Sequence, residues 1–135
     1  MLKRKSADNF KVAQWAINKP FFDVAMSRMY YAVFEIVKYY LFKDRTFFNN
    51  LGIKEYELRH INMPTFLNQY LSYKKVALNR INIISISKIA QMSKNRQKAD
   101  YCPVGCISES LAREYINYAE DIIKFMNKIH MESKA

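Results

Sequence analysis

From residue 65 to residue 102 the chain carries neither glycine nor proline, and its 135 residues contain only two glycines and three prolines in all. The tight turns of a β-sandwich or barrel draw on glycine for left-handed backbone and on proline for a fixed φ, so this sequence cannot supply them in number. Helices remain. One domain spanning 1–135 can bury roughly two-thirds of its unfolded surface, enough for a packed core.

Apolar periodicity divides the chain into about five helices. Phe10, Ala13 or Val12, and Ile17 predict a first helix over 7–18, stopped by Pro20. Phe22, Met26, Met29, Val33, Ile36, Val37 and Tyr40 then recur every three or four residues, so a central helix runs over 20–43 with Pro20 at its first position. Asn49, Asn50 and Gly52 mark a loop with a short helical turn before residue 60. Asn62 reads as the N-cap of a third helix reaching Tyr73, with Pro64 just inside. The stretch "INIISISKI" over 81–89 alternates like a strand but has no second strand to pair with, so it belongs to a fourth helix over 76–97. "CPVGC" breaks the chain again, and Ser108 caps a fifth helix with the stripe Leu111, Tyr115, Ala119, Ile122, Met126 and Ile129. The expected fold is all-α, an up-and-down helical bundle.

Twenty-two Lys and Arg against twelve Asp and Glu give a net charge of +10, and no acid stands between residues 58 and 99. One strongly positive surface is expected, either a solvated face or one that meets an anionic partner. The cysteines, Cys102 and Cys106, lack the ligand number of a structural zinc site and read as reduced thiols. "MLKRKSADNF" has charge without an apolar segment behind it, which does not make a secretory signal, and "MYYAVF" is far too short to span a bilayer. A cytoplasmic location with no membrane association follows as an expectation. No Walker loop, dinucleotide fingerprint or nucleophile elbow is present. No cofactor or metal is called for.

Two constellations are left: "AMSRMYYAVF" at 25–34 and "RQKADY" at 96–101. Ala25, Ser27, Arg28, Tyr30, Tyr31 and Ala32, followed by Arg96, Ala99, Asp100 and Tyr101, resemble the A-x-S-R-x-Y-Y-A and R-x-x-A-D-Y motifs of the HEPN (higher eukaryotes and prokaryotes nucleotide-binding) domain family, in its small prokaryotic branch. The resemblance covers nearly the whole chain. It implies a helical bundle that forms a homodimer with the motifs lining a cleft. It further implies an RNA-handling protein, the toxin-like component of a toxin-antitoxin or defence system. Such a component is a metal-independent endoribonuclease, and its antitoxin a minimal nucleotidyltransferase. The alternative is a non-catalytic binding module that docks such a partner or holds a nucleotide.

The ribonuclease members carry arginine, four to six residues, then histidine, whereas here four residues separate Arg96 from Tyr101. A phenol with an ordinary pKa of about 10 donates a hydrogen bond at neutral pH but is a poor base. Catalysis would then fall to Arg96, Asp100, Tyr101 and Arg28, with Tyr101 as acid or with His60 folded back into the cleft. RNA or nucleotide contacts would come from Ser27, Tyr31, His60, Lys74, Lys75 and Arg80. Asp100 should pair with an arginine, either Arg28 or Arg96, to orient a guanidinium or merely to tie two helices together. Most aromatics suit the core, and Phe47 and Phe48, in a loop, suit a partner.

Overall fold

The computed structural model describes residues 1–103 and 105–134. Its helices are α1 (Leu2–Asn18), α2 (Phe22–Lys43), α3 (Arg45–Leu51), α4 (Met63–Tyr73), α5 (Arg80–Ser87), α6 (Ile89–Tyr101) and α7 (Glu109–Lys134), with a 3-10 turn at Glu55–Glu57. No strand occurs among the described residues.

Contacts along the helices give the topology. Ser6 Oγ donates to the Ala32 carbonyl (2.6 Å) and Trp15 meets Phe21, so α1 and α2 are antiparallel. Asp23 lies beside Ile107 and Tyr40 beside Asn127, so α2 and α7 run the same way. Ser85 pairs with Asp121 and Lys88 covers the Tyr118 ring, so α5 and α6 oppose α7. The four long rods, α1, α2, α5 with α6, and α7, therefore alternate up and down, and α3 and α4 form the crossover. Helix α2 sits at the centre because it is apolar around most of its girth: Met26, Met29, Tyr30, Val33 and Val37 are fully buried.

Several boundaries differ from the sequence expectation. Helix α1 begins five residues early although Met1 gives it no side-chain cap. Burial of Ser6 against α2 supplies what local signals lack. Pro20, in a cis peptide with Lys19, lies in the turn, and α2 starts only at Phe22. The expected fourth helix is two: residues 76–79 are not helical, Asn79 caps α5 by accepting from the Asn82 N–H (2.8 Å), and Lys88 separates α5 from α6. Asn62 is the N-cap residue of α4, as expected, but its side chain makes no cap bond. Its side chain reaches backwards, accepting from the Arg59 N–H (2.7 Å) and donating to the Glu57 carbonyl (2.8 Å). Ser108 does cap α7, accepting from the Leu111 N–H. Phe47 and Phe48 are buried, against Tyr70 and Phe42, because α3 folds back onto α2 and α4 instead of forming an open loop. Cys102 and Cys106 are joined in a disulfide, not left as thiols, since the return after α6 brings their Cα atoms to 6.3 Å. Among the described residues no helix is long and apolar enough to cross a membrane.

Candidate functional site

Tyr30 and Tyr31 lie on α2 where it faces α6, Tyr30 buried and Tyr31 half-buried. Arg96 comes down from α6 onto both rings, its guanidinium carbon 5.5 Å from each centroid. Helical spacing places Asp100 one turn beyond Arg96, and its carboxylate accepts from Arg96 Nη1 at 3.3 Å. Arg96 is only 8% exposed, and its buried Nε–H has no hydrogen-bond partner among the described residues. A buried guanidinium is costly unless compensated, and here the compensation is two ring faces and one carboxylate. Of its buried nitrogens, Nε is left without a partner among the described residues.

His60 arrives from elsewhere. The bonds of Asn62 to residues 57 and 59 fold the segment before α4 into a latch that carries His60 onto α2. Its ring lies tilted against Phe34, 4.1 Å between centroids, and edge-on to Tyr31 at 5.8 Å, and its Nδ1 is hydrogen-bonded to the Tyr30 hydroxyl at 2.8 Å. Burial lowers the His60 pKa first, and the positive charges of Arg96 and Lys38 lower it further. The imidazole is therefore neutral at pH 7. Burial raises the Tyr30 pKa, opposed by a hydrogen bond from Ser93 and by Arg96, so the phenol keeps its proton. Tyr30 and His60 are thus directly linked, and when Nδ1–H donates to the phenol oxygen, Nε2 keeps a lone pair.

Of the residues expected at the site, Arg96, Asp100, Tyr31 and His60 come together. Ser27 lies one helical turn before Tyr31. Arg28 does not reach Asp100; it is exposed and bonds Asn9 of α1 at 3.4 Å, because its position on α2 faces α1. Tyr101 neither buries its ring nor enters the hollow, being 81% exposed at the last residue of α6. Lys74 is bonded to Asp44 (3.0 Å), Lys75 follows the end of α4, and Arg80 is exposed at the start of α5. Lys74 and Lys75 face α7 residues 121–129, whereas Arg96 follows Asn95, which lies beside Tyr115. At 1.5 Å per residue the lysines are roughly 15 Å further along the bundle.

Ser93 and Lys38 were not singled out in the sequence. Lys38 was accessible to it: Tyr31, Phe34 and Lys38 stand at i, i+3 and i+7 on one face, and Lys38 Nζ covers the Phe34 ring at 5.6 Å. Ser93 offers no such signal.

A family model described as HEPN domain matches residues 1–129 of the chain. No curated protein and no solved structure matches it.

Proposed function

The chain belongs to the HEPN domain family, whose members are ribonucleases or nucleotide-binding proteins, and from that premise we propose that it cleaves RNA without a metal ion, in the hollow between α2, α6 and the residue 57–62 latch. The observation that carries this reading is the convergence of His60 and Arg96 on the same pair of tyrosines. His60 Nε2, neutral at pH 7, takes the proton of a ribose 2′-hydroxyl. The 2′-oxygen attacks the adjacent phosphorus, the bond to the 5′-oxygen breaks, and that oxygen takes a proton from solvent. Arg96, held by Asp100 and the two tyrosine rings, binds the phosphate and the charge that grows on it in the transition state. Asp100 is a positioning residue that fixes the guanidinium plane. The products are a 2′,3′-cyclic phosphate and a 5′-hydroxyl end.

In this reading the protein is the toxin of a toxin-antitoxin or defence pair, acts as a homodimer in the cytoplasm, and is held in check by a nucleotidyltransferase-type antitoxin. The test is cleavage of single-stranded RNA in EDTA with end-group analysis. Arg96→Ala and His60→Ala should each lower the rate by about 10²-fold or more, with helicity checked by circular dichroism. A folded wild-type protein that leaves RNA intact would end the ribonuclease reading in favour of the docking module.

A further inference from the structure

A cavity of about 610 Å³ lies between the end of α4, the start of α5 and the C-terminal half of α7, away from the Arg96 hollow. Its size falls in the range of small-molecule sites. Lys74, Lys75, Lys124 and Lys128 line it together with a single carboxylate, Asp121, and that carboxylate accepts a hydrogen bond from Ser85 Oγ at 2.6 Å. Val76, Phe125 and Ile129 add apolar surface. Asp44 and Glu120, outside the lining, bond Lys74 (3.0 Å) and Lys124 (2.7 Å) and fix where their ammonium groups stand. Among the described residues no ion pair engages Lys75.

The backbone at Lys75 makes a second, independent point. Helix α4 ends in a Schellman turn, with Lys75 N–H bonded to Ser72 and Val76 N–H to Leu71. The residue in the left-handed position of that turn is normally glycine, yet here it is Lys75, at φ 54°. A side chain is strained in that conformation. The turn itself would be better served by glycine, so the strain calls for a role for the ammonium group that glycine lacks.

We propose that this cavity binds a small molecule carrying two or more linked phosphate groups. The phosphates lie among the four ammonium groups, two of which are also held by Asp44 and Glu120, and the rest of the molecule rests on Phe125 and its apolar neighbours. Its volume suits a compact ligand. The site is separate from the Arg96 hollow and does not depend on ribonuclease activity.

Titration calorimetry of the intact protein at low salt, with inorganic tripolyphosphate and orthophosphate as probes, tests this. Tripolyphosphate should saturate one site per chain and bind about tenfold or more tighter than orthophosphate. The double variant Lys124→Gln with Lys128→Gln should weaken it by about tenfold or more, and Arg96→Ala should leave it unchanged within about twofold. Lys75→Gly separates structure from binding: its melting temperature should rise as the strain is relieved while the affinity falls. No saturable binding, several equivalents per chain, an undiminished affinity in the double variant or in Lys75→Gly, or an equal loss in Arg96→Ala would each overturn the proposal.

Discussion

His60 joins an irregular segment to the central helix, and its ring gains that place by giving up solvation. Burial, Arg96 and Lys38 all push its pKa down, so the folded state binds a proton less readily than the unfolded chain. Above the unfolded value near 6.5 both states are neutral and nothing is lost; as pH falls through the depressed folded value, protonation is bought at the expense of the fold. Acidification from pH 7 should therefore lower the urea midpoint of the wild type more than that of His60→Gln. Equal losses in the two proteins would show that His60 does not titrate against the fold. Tyr70 gives the matching effect at high pH. Its phenol is pushed up to about 12 by burial and by the carboxylate of Asp44. The unfolded tyrosine ionises first, so stability is lost as pH rises above about 10. An absorbance titration at alkaline pH should find phenols that ionise late, and Tyr70→Phe should remove one of them.

Among the elements, α5 is turned inside out. Ile81, Ile83 and Ile84 are 62%, 53% and 40% exposed, while Ser85 is buried against Asp121 on the inward side. Replacing Ile84 with Gln should change stability by less than about 0.5 kcal/mol. Met92→Ala, in the buried seam of α6, should cost about 2–5 kcal/mol, read as a shift in urea midpoint. Comparable losses would mean that α5 packs against something in solution. The same helix marks how far the sequence could be read. That "INIISISKI" is helical followed from the absence of a pairing partner, and the stripes of α2 and α7 followed from simple periodicity. The break at Lys88 was hidden because nothing local opposes helix there. It comes from the separate seating of α5 on α7 and of α6 on α2. At the site, Arg96, Asp100 and the tyrosine pair were legible as motifs, whereas the choice of Arg96 over Arg28 as partner depends on which side of α2 faces α6. The approach of His60 rests on a latch formed by Asn62, a residue whose sequence position argued for a cap.

For the whole molecule, positive charges exceed negative ones by ten. The basic helices α5 and α6 lie against α7, the acid-rich one, yet two of the acids of α7 are engaged within their own helix: Glu109 with Arg113 at 2.8 Å and Glu120 with Lys124 at 2.7 Å. Such exposed pairs contribute little to stability, but they leave fewer carboxylates to meet the cations of residues 58–99. The net positive charge acts on a strand of RNA only within the screening length, about 8–10 Å at ordinary salt. Affinity should fall linearly on a log-log plot against salt, with a slope of about 0.7 for each phosphate neutralised on a single strand. If Arg96 holds one of those phosphates, Arg96→Ala should make the slope shallower by about 0.7, as well as weakening binding at every salt concentration. The measurement is fluorescence anisotropy of a short labelled oligoribonucleotide across a salt series. An unchanged slope would leave Arg96 as a buried brace between α2 and α6, and a flat response in the wild type would remove the electrostatic case for RNA altogether.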